Sequence, residues 1–570
     1  FFKNTAFFQT SNKIFQLTDD HCNVFNSIHW RFITVCADRL IAQDFDKGLL
    51  SFENGYWKPF LKQSELPPDY FATSLSVIGK DSALLTTVKN GVYLLVGESI
   101  KRLRSAFLDA VMETHMSASV MVNPDHIALT TNLDGCYIID KKGNLVQSFS
   151  RKEGLQNNNI LDIFLDKEKN LWLGLDNGID FIPYNNAVKH IYSNYINEGS
   201  GYAAGIYQNE LYIGTSNGLY KTGLYPEKDL SYIKGEFKLV NNTKGQVWNL
   251  SEVNGKLLMG HHDGAFVIEN NTAKAIDKTS GFWTFQPFYS VQPSAVMIAG
   301  SYQGINFYDY NDGVFSDKHI VAHFESARFV CMENERIWIS HPYKGVYQVQ
   351  LNGNTPGTKN YTQRSGLRSS QGNYIFKIRN AIILATENGI YEYDQIKDSF
   401  LLSKFYNGLF PNKSIRYMKE DETGNVWFVF DEVLGVVDMS ASKPFIIYFP
   451  ELSNKFISGY EHVFPLNKNN VFIGGDKGFY HINYEQYKHK KYPLSIQITA
   501  VKFINSKDKV LFGGYSGDVN EESAGSNNKK QQLAHSDNSL HFEFASPVYA
   551  QQSNIEYSYL LEGFDKTWSP

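Results

Sequence analysis

The feature that most restricts how this chain can fold is a glycine that returns every forty-odd residues. It falls at Gly48, Gly91, Gly135, Gly178, Gly218, Gly264, Gly304, Gly345, Gly389, Gly435 and Gly478, at spacings of 43, 44, 43, 40, 46, 40, 41, 44, 46 and 43 residues. Around it lie two apolar runs and a short polar break, as in Leu171-Trp172-Leu173-Gly174-Leu175-Asp176-Asn177-Gly178-Ile179-Asp180-Phe181-Ile182. The same cassette recurs from Leu211 to Tyr220, from Met297 to Ile305 and from Val471 to Phe479. Asn177-Gly178 predicts a tight turn between two strands, because both residues accept a positive φ. A bulky apolar residue precedes most of the glycines by six positions, among them Leu85, Leu129, Trp172, Tyr212, Leu258, Ile298, Ile383 and Phe472. Trp338 and Trp427 stand seven and eight before Gly345 and Gly435, which predicts a slightly longer turn there. A degenerate copy, Phe7 to Phe15, opens the chain with Lys13 in the glycine slot. A strand-rich period of roughly 40–50 residues predicts β-propeller blades of four antiparallel strands. Helical repeats of that length would show a 3.6-residue period, which is absent.

Counting copies divides the chain. Five lie before about residue 190 and seven run from Gly218 to Gly478, with the polar passage Ser193 to Gly201 between them. Propellers close with about four to eight blades, so one ring of twelve is disfavoured. The count predicts residues 1–190 as a first propeller of about five visible blades and 195–490 as a second, seven-bladed one. Because the chain starts inside a repeat, its first blades are expected to precede Phe1. After Tyr492-Pro493 the period stops. Ile496 to Phe503 alternates like a strand, Ser516 to Gln532 reads as a loop, and strands resume at Leu540 to Phe544. Residues 494–570 are therefore expected to form an Ig-like β-sandwich, itself cut short at Pro570. The fold class is all-β, tandem propellers followed by a sandwich.

Net charge is −5 and no dense basic run occurs, which argues against nucleic-acid binding through this portion. No stretch of about 18 apolar residues is present, so nothing in the chain reads as a membrane-spanning helix. Cys22, Cys36, Cys136 and Cys331 show no metal-ligand or CxxC spacing and read as small buried thiols.

The last module carries a more specific signal. Leu540 to Tyr549, followed by Asn554 to Asp565 and Trp568, resembles the triple-tyrosine domain, with its tyrosines at Tyr549, Tyr557 and Tyr559. The blade cassette resembles the two-component-regulator propeller repeat at Leu171-Trp172-Leu173-Gly174 through Asn177-Gly178-Ile179. Together and in this order they resemble the ectodomain of bacterial sensor regulators, chiefly from Bacteroidetes. That resemblance implies a periplasmic location and a transmembrane helix beyond Pro570. The output that follows would be a histidine kinase or a helix-turn-helix domain. It also implies a small-molecule or oligosaccharide ligand of glycan origin. It leaves room for a homodimer.

The residues that break the template are the candidates for chemistry. Gly260-His261-His262-Asp263-Gly264 is a histidine pair in a turn, but neighbouring strand residues face opposite ways, so the two are expected to diverge rather than chelate one ion. His341 occupies an equivalent turn. Trp172, Trp338 and Trp427 recur at one position and are expected in the blade core, whereas Trp248 and Trp283 fall off it. Carboxylates sit mostly in turns, and no GxSxG, P-loop or HExxH occurs. No catalytic residues, metal ligands or cofactor are expected. The candidate ligand-binding residues are Gln246, Trp248, His261 and His262. The competing readings are a propeller enzyme, either a polysaccharide lyase or a glycosidase with an inward carboxylate pair, and a protein-binding scaffold.

Overall fold

A computed structural model describes the chain except residues 1, 19–20, 37, 62–65, 68–69, 98, 192–198, 225–229, 233–236, 280, 370, 490–494, 505–509, 514–534, 536–538, 550–554 and 570. The passage Ser193 to Glu198, the break at Tyr492-Pro493 and the loop Ser516 to Gln532 thus lie outside the described residues. The chain divides into two compact units, Phe1–Tyr487 and Lys488–Pro570. Among the described residues no helix is long and apolar enough to cross a membrane.

The first unit is built from antiparallel sheets whose strands follow one another in chain order. Five come first, spanning Ala6–Asn26, Trp30–Pro59, Ala72–Leu103, Met116–Phe149 and Ile160–Ile182; the outer two of these have three strands and the others four. Seven four-stranded sheets follow. The seventh takes three strands, Val463–Asn467, Asn470–Gly475 and Gly478–Ile482, from the end of the series. Its fourth strand is Val188–Ile191, paired antiparallel with Phe479–Ile482. Sequence spacing grouped residues up to 190 with the first array; the hydrogen bonds place this strand in the second ring. Gly201, in the first of the seven sheets, abuts the backbone of Gly474 and Gly478 in the last, so the series closes on itself.

The core lies between successive sheets. Most of the four-stranded sheets bury both faces in a middle strand, as in Ile337, Trp338 and Ile339 or Val426, Trp427 and Phe428. Trp427 stacks on Phe449, with Tyr484 edge-on, and its Nε1 donates to Asp421 Oδ2 at 3.1 Å. Trp172 is a correction. It is only half-buried, with Phe181 against it and its Nε1 donating to Asp166. Its sheet has three strands among the described residues, whereas Trp427 is also covered by a fourth strand, Phe445–Tyr448, and the following Phe449.

Gly435 apart, the repeating glycines take the positive φ the turn implied, from +79° at Gly478 to +158° at Gly178, although Asn177 does not; at some of them a second cause adds to it. At Gly264 and Gly304 φ is +148° and +136°, and a Cβ would collide with the carbonyl oxygens of Asp277 and Ala322 on the neighbouring outer strand. Paired positive-φ turns, such as Asn254-Gly255 and Asn334-Glu335, instead join the first and second strands. The turn before the glycine is held by the last residue of the second strand. Thr215 Oγ1 accepts the Asn217 N–H and donates to the Gly218 carbonyl, both at 3.1 Å, and Ser301 does the same for Gln303 and Gly304. Gly435 is misplaced by the periodic reading. The turn in that sheet is Asp431-Glu432, with φ of 44° and 62°, and is tighter rather than longer. Gly435 lies inside the next strand, where any side chain would strike the Phe428 ring.

The second unit shows one three-stranded antiparallel sheet in the order Val510–Gly513, Gln497–Phe503, Leu540–Ala545. Tyr557 packs edge-on against Phe544 and its Oη accepts the Ser546 N–H at 3.0 Å, whereas Tyr549 and Tyr559 are exposed.

Candidate ligand site

The first strands of the seven-sheet ring face one another across a cavity of about 450 Å³. In three consecutive sheets the second residue of that strand is bulged out of register: Tyr202, between Gly201 and Ala203; Trp248, between Val247 and Asn249; and Trp283, between Phe282 and Thr284. A bulge inserts one unpaired residue and re-aims its side chain. These three, with Arg328 entering the next first strand and Tyr460 entering the last, line one end of the cavity.

The rings hold one another. Trp248 stacks on Tyr460 with centroids 5.4 Å apart and planes at 24°, and lies 5.0 Å from both Tyr202 and Trp283. Both indole N–H groups are satisfied sideways: Trp248 Nε1 donates to Tyr302 Oη at 2.9 Å and Trp283 Nε1 to Ser326 Oγ at 3.0 Å. Fixing each indole by its edge leaves the faces for packing and for any apolar guest. Burial raises the Tyr302 phenol pKa, while the Trp248 hydrogen bond works the other way. The Arg328 guanidinium carbon stands 4.3 Å from the Tyr460 centroid and 5.0 Å from that of Trp283. Burial lowers its pKa from the usual arginine range.

The four residues singled out from sequence separate here. Trp248 lines the cavity. His262 is exposed beside it, its Nδ1 3.0 Å from Tyr302 Oη, the same oxygen that Trp248 reaches. Gln246 meets this group through its backbone, its carbonyl accepting the His262 N–H at 3.0 Å. His261 turns the other way. It is 3% exposed, packs edge-on against Phe266 and uses Nδ1 to accept the Asp263 N–H at 3.0 Å. It fills the slot Thr215 and Ser301 fill elsewhere, and His341 does likewise toward Tyr343. Burial lowers the His261 pKa, which suits a neutral acceptor. Among the described residues no three His, Cys, Asp or Glu side chains come together to hold a metal ion.

Tyr202, Tyr302, Arg328 and Tyr460 escaped the sequence reading. A signal existed: Tyr202, Trp248 and Arg328 each stand thirteen positions before the turn-holding residue, Thr215, His261 and His341.

Comparison with known proteins bears on the repeat and the fold. Residues 154–177 match the model of the two component regulator propeller. They run through the first two strands of one sheet, Ile160–Leu165 and Leu171–Leu175. Among solved structures, the chain is similar to the extracellular domain assigned to the hybrid two-component system BT3049 of B. thetaiotaomicron. The match has 18% identity and a TM-score of 0.58, covering 98% of this chain and 84% of that one. The extracellular domain of a second system of that organism, BT4673, aligns at 16% identity and a TM-score of 0.41, covering 100% and 80%. At these identities the likeness is one of fold. Nothing among curated proteins matches the sequence.

Proposed function

We propose that the chain is the ligand-sensing ectodomain region of a membrane-anchored signalling protein, working outside the cytoplasm. The ligand is an oligosaccharide bound in the cavity of the seven-sheet ring. The observation that carries this reading is the wall of Tyr202, Trp248, Trp283 and Tyr460 around one end of that cavity. Sugar rings present apolar C–H faces that stack on such aromatics, and the Tyr302 and His262 side chains next to Trp248 supply hydrogen-bonding groups. The regulator repeat at 154–177 and the fold shared with a two-component-system ectodomain support the sensing role. The ring binds and does not turn over its ligand, and the second unit passes on the occupied state. Signalling then requires the ligand to prefer one of two conformations, since it shifts their balance only by its differential affinity.

The test is titration calorimetry of the chain against a panel of neutral and acidic oligosaccharides, with a reducing-end assay alongside. Trp248→Ala is expected to weaken binding more than tenfold, and His262→Ala by a smaller factor. Release of new reducing ends would overturn the binding-only reading. Affinity unchanged in Trp248→Ala would place the site elsewhere.

A further inference from the structure

Arg328 differs from several half-buried lysines of the ring. Lys221, Lys256 and Lys318 reach carboxylates at 2.7 Å, 2.8 Å and 2.7 Å. The Arg328 guanidinium meets no carboxylate or other side-chain acceptor among the described residues, although it is half-buried in the cavity wall. Three aromatic neighbours, Tyr460, Trp283 and Phe329, stabilise its charge and limit its motion. None of these ring faces accepts the planar N–H fork, whose geometry matches the two oxygens of a carboxylate or the oxygens of a sulfate. Burying a cation without such a partner costs free energy that a bound oxyanion would return. Glu461, on the same rim, offsets part of that cost by its charge, but it makes no ion pair with Arg328, and its Oε1 accepts the Gly459 N–H at 2.9 Å. The cavity lining also holds Lys419 and Glu252, so its net charge is balanced and selectivity falls to direct contact with Arg328.

We infer that the ligand of this cavity is an acidic saccharide, with a uronate carboxylate or a sulfate ester seated on Arg328 while a neighbouring sugar ring packs on the aromatic wall. This rests on the saccharide reading above, and the experiment separates the two. Calorimetry on the chain compares three probes: an oligogalacturonate, the same oligosaccharide with its carboxylates reduced to alcohols, and a sulfated galacto-oligosaccharide. At least one acidic probe is expected to bind ten or more times more tightly than the reduced one, the advantage shrinking as salt is raised. Whichever acid prevails identifies the oxyanion. Arg328→Gln is expected to abolish the preference, weakening the acidic probes at least tenfold and the reduced probe by a much smaller factor, and Arg328→Lys to recover only part of it; unchanged melting temperatures for both variants show an intact ring.

Equal binding of acidic and reduced probes, with a tenfold loss in Trp248→Ala, would overturn the acidic ligand and leave the saccharide site standing. Acid binding that needs Arg328 but survives both Trp248→Ala and Trp283→Ala would keep the anion seat and remove the saccharide reading. Failure of all three probes to bind would overturn the inference.

Discussion

His462 holds the ring where its ends meet. Its Nε2 accepts the Ala204 N–H at 2.9 Å, tying the last first-strand to the first one. Burial, and then the Lys419 ammonium, push its pKa down to about 4 from the ordinary value near 6.5. Below pH 6.5 the unfolded chain therefore binds a proton that the folded chain refuses. The stability from this site is complete above about pH 6.5 and is lost as pH falls toward 4, by roughly 1.4 kcal/mol per unit. Urea unfolding is expected to show about 2 kcal/mol less stability from this group at pH 5 than at pH 7.5. His462→Gln should flatten that slope; an identical slope in the variant would show that another group titrates. A second residue-scale expectation concerns Gly304. Gly304→Ala forces a positive φ on a side chain that also strikes the Ala322 carbonyl, and is expected to cost more than about 2 kcal/mol in the same assay.

At the scale of the sheet, the period was legible because one turn is repeated, and turns leave short local marks. What held the turn was not. The second-strand terminus is Thr215, Ser301, Thr386, His261 or His341, residue types that share only an acceptor atom in the right place. This is why the histidine pair looked like a ligand site when half of it is a turn fastening. Gly435 was misread for the converse reason: a glycine near the expected position was preferred over the true turn Asp431-Glu432, which lacks glycine. Trp248 was visible in the sequence as an aromatic off the template. Tyr202 was not, because a bulge changes where a side chain points without changing its residue type, and Arg328 was not, because it stands in the connection just before Phe329–Glu333, where an arginine carries no pattern. The two environments of the repeated tryptophan give an expectation at this scale. Trp427→Ala should cost about 3–5 kcal/mol, as enclosed large-to-small changes do, and Trp172→Ala clearly less. Thermal melts of the two variants check it, and equal losses would show that burial does not set the cost.

For the whole molecule, the decisive contact is the pairing of Val188–Ile191 with Phe479–Ile482. Removing residues 186–191 is expected to open the edge of the last sheet and to split a single melting transition of the ring into broader ones, because blade arrays are stabilised by neighbours. A melt as sharp as that of the intact chain would show that closure adds nothing. The same pairing has a consequence for how the molecule is made. Its two partners are about 290 residues apart in the chain, so a ribosome working at about 5–20 residues per second finishes the second roughly 15–60 s after the first. Over that interval six sheets can form next to one another, while Val188–Ile191 waits as a strand with no mate. The ring thus has a long adolescence in which an unpaired strand edge is open to proteases, chaperones and a second nascent copy. Brief protease exposure of nascent chains should cut near residue 190 until residue 482 has emerged, and then stop.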